Sequence, residues 1–285
     1  AQLYPVSNHY INNSFAINPA VAGSDGALHV SLSYRNQWVG IEGSPKTMTL
    51  AIHTPLKNDK IGLGFLLLND TYGIYHSTTF GGNYAYKIEL GKGNLSFGRS
   101  FSATIMEERW NELVSIDSDD EQLIYSSSKA VVPNFSTGMY YKTADYFIGF
   151  SIPGLFSNKL NAINNKYTLQ SDFSKYNYFV YGGYQFRLSD QFQLFPSLLT
   201  KYSSESGAQL DLTAQFVFME RIWLGVTYKS DATIVGLFQV NLNKQATVAY
   251  SYDFKTGAFL AKPGSSHEIM LKYVFKYDLQ VVSPR

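Results

Sequence analysis

The chain has 285 residues, of which 45% are hydrophobic and only 16% charged, with a formal net charge of +1. Near-neutrality gives no basis for nucleic-acid binding, which needs a clustered basic surface, and the absence of cysteine excludes disulfides and thiolate metal sites. Aromatic residues reach 16%, including 22 Tyr and 20 Phe, a high share for a soluble enzyme. No run approaches the ~18 apolar residues of a membrane-crossing helix. Ala1-Gln2 opens a polar, aromatic stretch with neither the basic start nor the apolar core of a signal peptide. The expectation is a mature chain that follows a cleaved leader.

Residues 1–25, with "NNSFAINPAVAGS", show no clean period. They are expected to be a plug inside whatever follows, or a segment on its periplasmic side. Beyond them, period-two alternation recurs almost throughout. Leu28, Val30, Leu32 and Tyr34 alternate with His29, Ser31, Ser33 and Arg35, and Met48, Leu50 and Ile52 alternate with Thr47, Thr49, Ala51 and His53. The same pattern returns in Leu210 to Phe218, Ala246 to Phe254 and Ile269 to Tyr277. About fourteen such segments have cores at 27–35, 46–54, 60–69, 75–88, 94–105, 134–142, 145–152, 175–187, 191–201, 207–218, 221–229, 232–241, 245–254 and 267–277. Each is near the ~9–11 residues with which a tilted strand crosses a bilayer.

The connections alternate in length. Short turns fall at 56–59, 89–93, 143–144, 188–190, 219–220 and 242–244, whereas the longest connections, 36–45, 106–133, 153–174 and 255–266, all fall in the other phase. An outer-membrane barrel has short periplasmic turns, longer outer loops and both ends in the periplasm. The expected fold class is therefore all-β: a transmembrane antiparallel β-barrel of about 14 strands over 26–277, with a periplasmic tail at 278–285. A soluble sandwich also alternates, but its polar face would carry many Lys and Glu; here that face is mostly Ser, Thr, Gly, Gln and Asn. Aromatics crowd the strand ends, as in Tyr34/Trp38, Tyr72/Tyr75, Tyr84/Tyr86, Tyr140/Tyr141 and Tyr273/Phe275/Tyr277, which suits interfacial girdles.

Two positions fit badly. Arg99 is in phase with Leu95, Phe97 and Phe101, which would turn a charge towards lipid at ~2–4 kcal/mol near the midplane; a bulge or a place near the interface would relieve it. Pro196 stands in an otherwise good strand, where it cannot donate to the ladder, and also suggests a bulge.

Catalysis finds little support. His9, His29, His53, His76 and His267 are scattered, with no pair at metal-ligand spacing, and His53 follows the inward phase as a wall residue. The acidic run Asp117 to Glu121 lacks the Gly and distal Glu of a calcium loop and reads as a solvated outer loop. Gly91-Lys92-Gly93 is a hairpin turn without the strand-loop-helix context of a phosphate loop. No cofactor and no metal are expected. The long loops carry apolar anchors in polar surroundings, Trp110, Leu113 and Ile116 in one and Leu155 and Phe156 in the other, which suit either a binding surface or a lid on the mouth.

Asn18-Pro19-Ala20 with Ala22-Gly23, then Tyr34-Arg35-Asn36-Gln37-Trp38, Pro45 with Thr47 and Thr49, and His53-Thr54-Pro55-Leu56 recur as an ordered set. With Gly62-Leu63-Gly64 they resemble the start of the PorP/SprF family of type IX secretion outer-membrane proteins of the Bacteroidetes, over roughly residues 15–90. The resemblance implies a non-enzymatic barrel that helps large adhesins with a type B C-terminal sorting domain, gliding adhesins among them, reach and stay at the cell surface. It also implies contact with periplasmic parts of the type IX machinery. The Arg35–Trp38 cluster is expected to pack together, fix the first hairpin and shape the mouth, with Trp38 as a candidate contact for cargo. Two competitors stand beside this: a transporter for hydrophobic small molecules, similar to fatty acid transporters, and an outer-membrane enzyme. The inward phase, with Asp211, Asp253, Glu268, Arg187, Lys201 and Lys272, argues against a greasy conduit.

Overall fold

The computed structural model describes residues 6–56, 59–109, 128–155, 157–161, 166–170, 173, 176–204, 206–255 and 264–275. Strands β1 (Leu28–Asn36), β2 (Lys46–Pro55), β3 (Ile61–Tyr72), β4 (Tyr75–Leu90), β5 (Gly93–Glu108), β6 (Ser128–Lys142) and β7 (Tyr146–Ile152) follow one another antiparallel. A separate hairpin, β8 (Ser157–Asn161) and β9 (Lys166–Gln170), stands in the next connection. The wall resumes with β10 (Tyr178–Tyr184) and its short continuation β11 (Phe186–Arg187). It ends with β12 (Phe192–Ser203), β13 (Gly207–Phe218), β14 (Ile222–Lys229), β15 (Thr233–Asn241), β16 (Ala246–Lys255) and β17 (Ser266–Phe275). β17 pairs with β1, from Leu28 opposite Phe275 to Asn36 opposite His267, so the sheet closes as a 14-strand barrel with no free edge.

Alternation sets the two faces, because successive side chains of a strand point to opposite sides. On β1, His29, Ser31 and Ser33 are buried in the lumen, while Leu32 and Tyr34 stay exposed outside. The outer surface repeats this around the ring with Leu63, Phe65, Tyr84, Phe97, Phe216, Leu224, Phe238 and Leu271, the apolar belt of a barrel facing lipid. No helix is long and apolar enough to cross a membrane. The turns after β2, β4, β6, β11, β13 and β15 lie at one end, together with the start of β1 and the end of β17.

The lumen is not empty. Residues 6–24 run inside it, beginning near the long-loop end, where Asn8 bonds Ser251 and Asp253, and descending until Asp25 pairs with Lys142 at the short-turn end. The hydrophobic core is therefore inside the barrel: Tyr10, Phe15, Ile17, Ala20, Val21 and Ala22 of this segment pack with Tyr140, Phe147, Phe179, Tyr181, Phe195 and Leu199 of the wall. Tyr140, read from sequence as a girdle residue, is turned inward and buried, since the phase of β6 places Met139 and Tyr141 outside. Inward Arg187 is instead at the exposed short-turn rim.

Neither expected bulge is present. Register runs unbroken along β5 from Gly93 opposite Leu90 to Glu108 opposite Tyr75, so Arg99 does face outward between Phe97 and Phe101. Pro196 keeps register with Ala214 on β13, and on its other side the ladder lapses between β10 and β11, where the missing donor is not needed. The connection 153–174, read as a long loop, contains the β8–β9 hairpin; its polar sequence has no sustained apolar alternation to announce strands. Trp110, Leu113, Ile116, the acidic run 117–121, Phe156, Tyr277 and the tail 278–285 lie outside the described residues.

Candidate functional site

At the long-loop end the wall encloses an open vestibule of about 370 Å³ whose lining includes Arg35, Trp38, Lys201, Asp211, Lys229, Asp231, Asp253, Lys255 and Glu268, with Val6 and Ser7 among the residues at its base. The inward positions near the ends of β1, β12, β13, β14, β16 and β17 bring these charges to one level. Arg35 forks between two carboxylates, Nη1 donating to Glu268 Oε2 at 3.1 Å and Nη2 to Asp253 Oδ2 at 2.5 Å. Lys201 Nζ donates to Asp211 Oδ2 at 2.9 Å. The little-exposed charges of this layer, Arg35, Lys201 and Lys229 against Asp211, Asp253 and Glu268, balance three to three, as charges withdrawn from water must.

The N-terminal segment is wired into this layer. The Asn8 backbone N–H donates to Glu268 Oε2 at 2.9 Å, Asn8 Nδ2 donates to Asp253 Oδ1 at 2.6 Å, and Lys229 Nζ donates to Asn8 Oδ1 at 2.7 Å. Ser7 Oγ donates to Glu268 Oε1. Lower down, Tyr10 meets Ser197 Oγ at 3.0 Å, and its burial pushes the phenol up to about 12, so it stays neutral.

The family-motif residues fall into two groups. At the seat of the segment, Asn18 caps a 3-10 turn begun by Pro19: Oδ1 accepts from Ala20 N, while Nδ2 reaches the carbonyls of Met139 at 2.9 Å and Phe150 at 3.2 Å. Gly23 has φ +69 and touches Pro55 and Gly62, and its N–H donates to His53 Nδ1 at 3.2 Å. His53 stacks on His29, with ring centroids 4.7 Å apart. Glycines make this seat: a Cβ on Gly62 would lie 1.9 Å from Ala22 O, on Gly98 2.1 Å from Ala20 N, and on Gly138 2.1 Å from Asn18 Oδ1.

The second group stands at the mouth, and it disperses rather than packing as one cluster. Tyr34 is outside and exposed, Arg35 turns inward to Asp253 and Glu268, and Asn36 ends β1. The Gln37 N–H donates to the carbonyl of the fully buried Pro45, closing the first hairpin. Trp38 has φ +49, uncommon for a side chain of this size. It bridges instead to the last loop: its N–H donates to Ser266 Oγ, Lys255 Nζ stands 5.0 Å over its ring, and Gly264 leaves room for it. In the long connection, the Leu155 N–H donates to Phe135 O and Asn134 Oδ1, tying it to β6. Phe173 was missed in sequence. It is 75% exposed at the rim, beside Tyr176 and Tyr178, and its signal, an aromatic in a polar loop, was shared by several neighbours.

A model of the type IX secretion system membrane protein PorP/SprF family matches residues 1–273, well beyond the motif-bearing first third. The chain belongs to the PorP/SprF family. It is accordingly an outer-membrane barrel of type IX secretion. No curated protein sequence matches it. Among solved structures it is similar to the Acinetobacter baumannii outer membrane protein Omp33, at 7% identity and a TM-score of 0.53 over 89% of this chain and 100% of that one. It is also similar to the CymD monoaromatic hydrocarbon channel, at 13% identity and 0.52 over 93% and 99%. A Pseudomonas aeruginosa FadL homologue matches at 11% identity and 0.50 over 96% and 95%. At such identities the likeness is one of fold alone.

His9 gives the seated segment a pH dependence. It is buried, which lowers its imidazole below the ordinary value more than nearby Glu268 raises it. An unseated His9 takes up a proton below about pH 6.5, whereas the seated one resists, so seating weakens as pH falls through that value. The chain has no cysteine, so Ser14→Cys is a background-free reporter. Its maleimide labelling, taken relative to that of an exposed cysteine at the same pH to remove the falling thiolate fraction, is expected to rise between pH 7.5 and 5.5, and less so when His9→Gln is added.

Proposed function

We propose that this PorP/SprF barrel binds a large secreted adhesin with a type B C-terminal sorting domain at its outer mouth, and anchors it there or assists its export. The observation that carries the reading is the filled lumen: residues 6–24 separate the vestibule from a smaller periplasmic hollow lined by Ile11, Phe15, Val21 and Asp25. A mouth closed at its base suits docking better than conduction. Trp38, Leu155 and the exposed Phe173 offer apolar anchors around a charged, polar basin, the composition of a protein-binding rim. Trp110, Leu113 and Phe156 are candidates for the same surface. The periplasmic rim is where components of the type IX machinery would meet the barrel. Passage of hydrophobic small molecules is the competing function, and the charged layer of Arg35, Asp253 and Glu268 across the lumen disfavours it.

The test is affinity isolation of the full chain from native membranes in mild detergent. A stoichiometric surface protein ending in a sorting domain supports anchoring; a lone barrel carrying only lipid or fatty acid overturns it in favour of transport. Removing residues 157–170, the β8–β9 hairpin, while keeping Leu155 and Phe173 is expected to lower cargo retention by about tenfold, the loss of roughly 1.4 kcal/mol of contact. Unchanged retention would remove the hairpin from the docking surface.

A further inference from the structure

Among the described residues, the apolar stretch of the outer face carries a charge that no neighbour answers. Arg99 is the fourth of the eight outward-phase positions on β5, which run from Gly93 through Leu95, Phe97, Arg99, Phe101, Ala103 and Ile105 to Glu107, and it stands opposite Tyr84 on β4 and Thr137 on β6. On β4 the outward phase runs from His76 to Leu90, and Tyr84, expected from sequence in a girdle at a strand end, falls instead near its middle, the fourth position from the short-turn end. The guanidinium thus leaves the wall near mid-height of the apolar belt. It has no hydrogen bond or ion pair among the described residues. A guanidinium does not shed its proton, so the group stays charged. The nearer edge of the belt, at Leu95, is four residues away, about 13 Å of strand and roughly 10 Å of height at the usual tilt, so lipid phosphate is reached from there only by a stretched side chain and headgroups drawn inward.

Beside Arg99 is a notch. Gly82 faces outward, and a Cβ built on it would meet nothing within 4 Å. A bare backbone at a lipid-facing position lets another membrane segment approach closely. Phe101, 54% exposed, and Phe135 flank the notch with rings 5.2 Å apart.

We propose that the outer face of β4–β6 around Arg99 is a lateral docking site for a second outer-membrane protein that presents an Asp or Glu carboxylate within its own lipid-facing belt. In that dry setting, a forked guanidinium–carboxylate pair is strong and selective. The described strands of a second copy offer no such acid. In the described strands the carboxylates either point inward, as do Asp70, Asp211, Asp253 and Glu268, or sit at strand ends, as do Glu89, Glu107 and Glu108. The site lies back to back with the seat of the N-terminal segment, because Gly98 and Gly138, the neighbours of Arg99 and Thr137, hold Ala20 and Asn18 from inside. It does not rest on cargo binding at the mouth.

The experiment places a photo-crosslinking residue at Phe97 and, separately, at Phe101 of the full chain in its native cells, with Phe238 on another part of the wall as control. Cross-linked peptides are then sequenced. The expected adduct is a membrane-spanning strand of another outer-membrane protein containing Asp or Glu. It should fall roughly tenfold with Arg99→Gln and survive in part with Arg99→Lys, since lysine keeps the charge but not the fork. Exchange of charges, Arg99→Glu with the partner's acid changed to arginine, should restore it. Heat-modifiable migration of each variant separates lost docking from lost folding. Adducts to lipid alone, adducts to a second copy of this chain, or an adduct indifferent to Arg99→Gln would each overturn the proposal.

Discussion

Gly98→Val is expected to unseat the N-terminal segment and turn a closed barrel into a conducting one. A Cβ at Gly98 would lie 2.1 Å from Ala20 N, 2.3 Å from Pro19 C and 2.4 Å from Ala20 Cα, all of them backbone atoms. Flexible side chains give way to an added methyl; here the strand is fixed by pairing on both sides and the turn by the Asn18 cap. Overpacking of this kind costs about 1–3 kcal/mol even where neighbours can shift, and 3 kcal/mol moves the ratio of seated to unseated segment roughly 150-fold. Conductance in planar bilayers should rise, and Ser14→Cys, buried in the native chain, should become open to maleimide. Gly62→Val, aimed at Ala22 O, should do the same. Gly236→Val is the control, since its Cβ would meet nothing within 4 Å. If conductance and labelling stayed at the native level in both seat variants, the seat would not be what holds the segment.

The second large effect is expected at Arg35. Its replacement by methionine leaves Asp253, 7% exposed, and Glu268, 1% exposed, without the guanidinium that both carboxylates share. Breaking a buried ion pair from one side costs about 3–5 kcal/mol, because the remaining charge stays desolvated. Both carboxylates also anchor Asn8, so the entry of the N-terminal segment should loosen together with the barrel. Arg35→Lys should recover only part of the loss, since a single ammonium cannot fork between Glu268 and Asp253. Adding Asp253→Asn and Glu268→Gln to Arg35→Met should restore most of it. Thermal unfolding in detergent, followed by heat-modifiable migration, is the measurement; a loss below about 1 kcal/mol for Arg35→Met would mean that water reaches these carboxylates.

Sequence legibility followed the range of each interaction. The inward and outward faces of β1, β2, β13 and β16 were plain, because alternation is local and a Cβ direction follows from the residue before it. The phasing of long and short connections gave the two ends of the barrel, and the ordered motifs from Asn18 to Pro55 gave the family. The same alternation said that Arg99 faces lipid, and the bulge that would have turned it inward is absent. It could not say that Tyr140, Phe147, Tyr181 and Phe195 gather into one luminal cluster, because an aromatic at an inward position looks the same in sequence as one in a girdle.

What the chain by itself determined is a strand rhythm, a polar interior and a lipid-facing belt, each of them readable two residues at a time. What the tertiary structure decided is where the aperiodic residues 6–24 go and whom Arg35 meets. The first depends on glycines at 62, 98 and 138, and nothing in the local sequence of Gly98 or Gly138 says what the missing side chain makes room for. The second joins Arg35 to residues 218 and 233 positions away, a pairing fixed only when β17 closes on β1 and the ring sets every register at once.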